Sequence, residues 1–162
     1  MKYFYDTEFI ENGSTIDLVS IGIICEDGRA YYAISKEFDA TQADDWVKEN
    51  VLSKLETDAY LYKSRKEIRD DIAVFIRPDT SSKPQLWGYY ADYDHVVLSQ
   101  LFGRMINLPD HFPMYTRDIK QLCDELGNPT LPEQKEGEHN ALADAVWNSI
   151  AYEFLVDLAK NK

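Results

Sequence analysis

The sequence predicts an α/β fold: a mixed five-stranded sheet, a three-strand antiparallel meander plus parallel strands, flanked by helices. Two observations predict it. The first third of the chain reads as strands joined by turn signals, and the remainder alternates a short apolar strand pattern with segments of helical period. At 162 residues, 44% hydrophobic and 13% aromatic, the chain reads as one domain, residues 1–162, with room for a proper core.

The opening run Lys2-Tyr3-Phe4-Tyr5-Asp6-Thr7-Glu8-Phe9-Ile10 holds the first strand, about Tyr3 to Thr7, because its Tyr, Phe, Thr and Ile residues favour extended backbone. Strand side chains alternate, so Phe4, Asp6 and Glu8 share a face. Two carboxylates then sit where a core strand should be apolar. Burying one unpaired carboxylate is unfavourable, and a like charge beside it makes matters worse. Two readings are open here: an edge strand whose acids face water, or a divalent cation held between them.

Thr15 to Cys25 (TIDLVSIGIIC) is the second strand, and Glu26-Asp27-Gly28 is a hairpin signal leading into Arg29 to Ile34 (RAYYAI). Thr41 opens a helix over Gln42 to Asn50, where Asp44 and Asp45 suit a helix N-terminus. Ser64-x-x-Glu67 is a capping box for a helix running towards Arg77 and stopped by Pro78. Gln85 to Tyr90 (QLWGYY) is a buried strand, followed by a helix from about Asp92 to Arg104. Arg117 to Leu126 reads as a helix ended by Gly127 with Pro129 beyond. The last helix covers about Asn140 to Lys160, with apolar residues at Leu142, Val146, Ile150, Phe154 and Leu158. Before it, Asn128 to Glu138 is a long polar loop with two prolines and a glycine, of the kind that often serves function.

Composition excludes several classes. No apolar run approaches the ~20 residues that span a bilayer. The first residues lack a signal peptide's apolar segment, so a cytoplasmic location is expected and no membrane partner. Cys25 and Cys123 lie far apart without metal-ligand spacing and read as reduced and buried. The net charge of −12 argues against a long nucleic-acid groove, which relies on clustered Lys and Arg. It leaves room for an enzyme that grips one strand end, where bound cations supply positive charge. The densest basic cluster, Lys63-Ser64-Arg65-Lys66 with Arg69, reads as a solvated helix start.

Two later features supply partners for Asp6 and Glu8. Tyr93-Asp94 follows the strand Leu86-Trp87-Gly88 at the opening of a helix, and His139-x4-Asp144 lies where the long loop meets the last helix. Asp144 sits among Ala141, Ala143 and Ala145, small residues that let another segment approach. The three motifs in this order resemble the DEDD superfamily of 3′→5′ exonucleases, in its histidine (DEDDh) branch. The segments KYFYDTEFIENGSTIDLVSIGI, EDGRAYYA and YDHVVLSQLFG are similar to the RNase AS family of polyadenylate-specific 3′-exoribonucleases. That similarity weakens in the 128–138 loop and the C-terminal tail. The wider superfamily usually has an Asn before the second motif's aromatic-Asp pair, whereas Tyr90 stands there in this chain. Asp92 competes with Asp94 for the role, and Asp94 is preferred because Tyr93 directly precedes it.

The resemblance implies a ribonuclease H-like fold and a metal-dependent exoribonuclease. Its substrate would be a single-stranded RNA 3′ end, with adenylate preferred, and its product nucleoside 5′-monophosphates. Hard oxygen ligands suit Mg²⁺ or Mn²⁺, and two such ions about 4 Å apart activate water and stabilise the leaving oxygen. By resemblance, Asp6 bridges the ions, Glu8 and Asp144 complete one site, Asp94 supports the other, and His139 is the general base, an imidazole ordinarily titrating near neutrality. Thr7, Glu8, Phe9, Trp87 and His139 are the substrate-contacting candidates. Phe9 and Trp87 would stack on bases, set against ordinary core packing for both. His95 reads as a neighbour of Asp94, and His111 as a loop residue. The resemblance also implies a homodimer. The alternatives are a DEDDh exonuclease on single-stranded DNA, or a catalytically silent nucleic-acid or protein-binding module of the same fold.

Overall fold

In the computed structural model, which describes residues 1–77, 83–135 and 137–161, six strands form one mixed sheet between two layers of helices. The strands are β1 (Lys2–Glu11), β2 (Ile16–Cys25), β3 (Ala30–Ser35), β4 (Tyr62–Lys63), β5 (Gln85–Gly88) and β6 (Arg117–Asp118), in spatial order β4-β3-β2-β1-β5-β6. β1, β2 and β3 make the antiparallel meander, and β4, β5 and β6 each pair in parallel with their neighbour. The count is six rather than five. β4 and β6 are two residues each, too short to leave a period in the sequence.

β1 is central, bonded to β2 along one edge and β5 along the other. Its Tyr3 and Tyr5 face a core built with α2 (Arg65–Phe75) and α3 (Asp92–Leu101), beside Ile68, Ile72, Val97 and Leu98. Phe4 faces the opposite core, with Ile119 and Cys123 of α4 (Ile119–Glu125) and Ala151 and Leu155 of α5 (Ala141–Lys160). Asp6 and Glu8 therefore do not lie on an edge strand. The pairing of β1 with β2 shifts register between Glu8 and Phe9, a bulge of the kind that re-aims side chains near functional sites.

Local boundaries differ from the sequence reading where capping chemistry decides. The helix expected from Thr41 is split into a 3-10 turn, Ala40–Gln42, capped by Asp39, and α1 (Asp45–Asn50), whose N-cap Asp44 accepts from the Val47 N–H. The Ser64–Glu67 capping box opens α2 as expected, while its stop at Pro78 lies outside the described residues. The segment expected to be helical from Arg117 begins as β6, and α4 starts only after Asp118, which accepts from the Lys120 and Gln121 N–H groups. β5 ends at Gly88, and Tyr90 sits at φ +54°, a left-handed conformation unusual for tyrosine and favoured by Asn or Gly. Among the described residues no helix is long and apolar enough to cross a membrane.

The apolar residues at Val146, Ile150 and Phe154 of α5 are exposed by 39%, 50% and 38%. The helix buries its other line instead, Ala141, Ala145, Asn148, Ala151, Tyr152 and Leu155. Asn148 keeps its polar head satisfied by donating to the Tyr5 carbonyl at 3.0 Å.

Candidate active site

β1 carries the first two acids, and Gly22 of β2 brings in a third. Gly22 pairs with Asp6 across the ladder. A Cβ at Gly22 would lie 2.3 Å from the Leu142 backbone and 2.4 Å from the Ala141 carbonyl carbon. The start of α5 thus rests directly on the β2 backbone, and the small side chains of Ala141 and Ala145 are fully buried there. Asp144, on the first turn of α5, is thereby carried to the two acids of β1. Asp6, Glu8 and Asp144 each offer a carboxylate oxygen within 4.8 Å of the others.

Asp94 arrives from the first turn of α3 and is buried, 6% exposed. Its Oδ1 accepts from the Thr7 backbone N–H at 2.9 Å and from the Thr7 hydroxyl. Thr7 is itself 4% exposed, so its hydroxyl holds Asp94 rather than facing outward. Asp92, the competing acid, is exposed, which singles out Asp94.

The acids strain against one another. Burial, then the charges of Asp94, Glu8 and Asp144, pushes the Asp6 carboxyl well above the usual carboxylate range. Burial and the neighbouring Asp144 and Asp94 push Glu8 up to about 8. Asp94 rises to about 6 through burial, against the lowering effect of its Thr7 hydrogen bonds. Asp144 is raised by burial and held back by the Gln134 hydrogen bond. Hard oxygen donors, clustered and short of positive charge, are the donor set that a divalent cation satisfies.

His139 stands at φ +64°, where the loop turns into α5, and its backbone N–H donates to Asp144 Oδ2 at 3.1 Å. Asn140 caps α5, accepting from the Leu142 and Ala143 N–H groups, and its Nδ2 donates to Glu56 at 2.7 Å. Trp46 meets the His139 ring edge-on at 5.0 Å.

The structure therefore brings Asp6, Glu8, Asp94, Asp144 and His139 together. Phe9 stands one residue beyond, half-buried, its ring edge-to-face with exposed Tyr93 at 5.7 Å. Trp87 is not brought to this cluster: its ring packs on Tyr152 at 4.5 Å, with the Arg117 guanidinium 5.6 Å from it. It pairs with Phe4 and shares the face of Phe4, Asp6 and Glu8, but the register sets it beside Phe4, short of the acids, and half-buried against the core under α5. His95 contacts Thr116 and His111 bonds the Ile76 carbonyl, each away from the acids.

Three contributors had no motif to announce them. Gln134, in the long loop, donates to Asp144 Oδ1 at 2.7 Å. Trp46 and Glu56, which brace His139 and Asn140, come from α1 and the segment after it. The only sequence signal was the length of the 128–138 loop.

Comparison with known proteins agrees with this arrangement. A family model described as "3'-5' exoribonuclease Rv2179c-like domain" matches residues 1–156. The protein named 3'-5' exoribonuclease Rv2179c, of Mycobacterium tuberculosis strain H37Rv, is 49% identical over 146 residues, covering 90% of this chain and 87% of that protein. Its counterpart MT2234.1 of strain CDC 1551 has the same identity and coverage. Among solved structures, the zinc-bound complex of E. coli exonuclease I with single-stranded DNA superposes with a TM-score of 0.64 at 15% identity, over 99% of this chain and 41% of that one. The exonuclease I of Methylocaldum szegediense does so with a TM-score of 0.64 at 16% identity, again over 99% and 41%. This chain spans about two fifths of those larger enzymes, and the likeness is one of fold. It bears out the ribonuclease H-like architecture.

Proposed function

The chain belongs to the Rv2179c-like 3'-5' exoribonuclease domain family, and on that premise we propose that it removes nucleoside 5′-monophosphates from the 3′ end of single-stranded RNA with the help of two divalent ions, Mg²⁺ or Mn²⁺. The observation that carries the metal dependence is the meeting of Asp6, Glu8 and Asp144 oxygens within 4.8 Å, beside buried Asp94. Like charges so placed are relieved by a cation between them.

Asp6, Glu8, Asp144 and Asp94 would hold the ions. When bound, they supply a lowered pKa for the attacking water and charge stabilisation at the scissile phosphate. The side chains do the rest. Thr7 fixes the orientation of Asp94 through two hydrogen bonds to one oxygen. Gln134 and the His139 N–H leave Asp144 a single set direction by engaging both its oxygens. His139 takes the proton of the attacking water, its ring position set by Trp46 and by the turn into α5. The Phe9–Tyr93 pair offers an aromatic edge to the terminal base, where stacking is worth ~1–3 kcal/mol.

Preference for adenylate follows from the RNase AS resemblance and from adenine's larger stacking surface. A homodimer is supported by the exposed Val146, Ile150 and Phe154 of α5, the first two of which border a groove of ≈560 Å³ with Leu142 and Trp147. One catalytic domain over residues 1–162, working in the cytoplasm, completes the reading.

The test is incubation with Mg²⁺ and 5′-labelled oligo(A), oligo(U) and single-stranded DNA, with product identity read by chromatography. Stepwise shortening from the 3′ end, release of nucleoside 5′-monophosphates and fastest loss of oligo(A) are expected. Equal rates on all three substrates would replace the polyadenylate reading with a general DEDDh trimmer. Internal cleavage would sink the exonuclease reading.

A further inference from the structure

A protein with 29 acidic and 17 basic residues must find local positive charge if it is to hold a polyanion. The cluster that stands out in the sequence does not supply it. Lys63 ends on Asp71, Arg65 on Asp17, and Lys66 and Arg69 both on Asp70. Each of these four cations already has a carboxylate partner, with Asp70 serving two of them.

Lys54 and Lys135 differ. Lys54 closes the 3-10 turn Leu52–Lys54 after α1, and Lys135 lies in the long loop before α5. Both are exposed, and among the described residues neither enters an ion pair, although carboxylates outnumber cations across the chain. They come from distant parts of the sequence yet line one recess of ≈430 Å³, together with Gln134, Gly137 and Glu138. Glu138 sets one carboxylate against the two ammonium groups, so positive charge remains in excess along the recess and favours an anion there.

The recess adjoins the carboxylates. Gln134, on its wall, is the residue that donates to Asp144. Glu138 on the same wall immediately precedes His139. The scissile phosphate belongs at Asp6, Glu8 and Asp144. A recess that shares a wall residue with them stands where the next phosphate along the strand would lie.

We propose that Lys54 and Lys135 bind the backbone phosphate one nucleotide 5′ of the scissile one, making this recess a phosphate subsite that orients the strand. The inference rests on the exoribonuclease reading above. Lysine suits the task because its ammonium is a flexible point charge that binds phosphate without a fixed hydrogen-bond geometry.

The test compares a substrate with one phosphate, the dinucleotide ApA, against ApApA, which has two. In Lys54→Gln, Lys135→Gln and the double variant, KM for ApApA should rise about 5- to 20-fold with kcat held, while kcat/KM for ApA stays near wild type. Arginine at both positions should restore most of the loss. Binding of labelled oligo(A), followed by anisotropy against salt, should lose about 0.7 from its log–log slope, the value of one single-strand phosphate contact. Unchanged KM for ApApA, or an equal loss on ApA and ApApA, would overturn the subsite, the latter because the lysines would then act on the scissile phosphate or the field at large. A wild type that released no nucleotide from either substrate would sink the exoribonuclease reading instead. In that case an unaltered salt slope in the double variant would still overturn the role of the lysines.

Discussion

Replacing Glu8 with Gln removes one carboxyl from a cluster in which four acids crowd one another, and the effect on metal-free stability can be worked out. In the folded protein the Glu8 carboxyl is pushed from 4.5 up to about 8, first by burial and then by Asp144 and Asp94. Between those two values the unfolded chain has released a proton that the folded protein keeps. Stability then falls as pH rises, by about 1.4 kcal/mol per pH unit for one proton. The full shift sets a ceiling of about 5 kcal/mol, and screening by water at this half-buried site reduces the expected loss to roughly 2–3 kcal/mol. Asp94, raised from 3.8 to about 6, adds a loss of the same sign in a lower window. The assay is urea unfolding in EDTA at half-unit steps from pH 4.5 to 8. Glu8→Gln should fall less steeply than wild type across the window from 4.5 to about 8, and be the more stable of the two at pH 8. Saturating Mg²⁺ at pH 8 should stabilise wild type, by ~2.7 kcal/mol at a hundred times Kd. Identical pH slopes in wild type and Glu8→Gln would refute the argument, because Glu8 would then not carry the charge conflict assigned to it.

Gly22→Ala would drive a Cβ to 2.3 Å from the Leu142 backbone, where no side chain can yield. It should cost roughly 1–3 kcal/mol and abolish the Mg²⁺-induced rise in Tm by moving Asp144, as thermal melts with and without metal would show. Tyr90→Asn should stabilise the protein by up to roughly 1 kcal/mol in urea titrations, since φ +54° suits Asn and the exposed ring gives up little packing. A loss of stability there would mean that the Tyr89 ring contact outweighs the backbone strain. His139→Ala should lower kcat by ~10²–10⁴ while keeping the Mg²⁺-induced Tm shift, because its bond to Asp144 comes from the backbone N–H.

The sequence by itself determined the elements that carry local signals, and the chemistry that needs rare residues. The D-x-E pair in an apolar run, the Tyr93-Asp94 pair after a buried strand and His139-x4-Asp144 at a helix start were legible because an acid is out of place in such company. The Ser64–Glu67 box and the Gly28 turn were legible because caps and turns are written in adjacent residues. Tertiary structure alone decided that β1 is central, since nothing local says which strands will flank it. It decided which face of α5 is buried: the large residues at Val146 and Ile150 promised a core stripe, but the close approach at Gly22 turns Ala141 and Ala145 inward, and the same line continues through Asn148, Tyr152 and Leu155. It set Trp87 against the core by strand register, aimed the Thr7 hydroxyl at Asp94, and drew Gln134, Trp46 and Glu56 to the site from segments without a motif. It also paired the conspicuous basic cluster with carboxylates and left Lys54 and Lys135 lining one recess. Charge runs are read along the chain, whereas a phosphate is met by whichever cations the fold leaves unpaired in space.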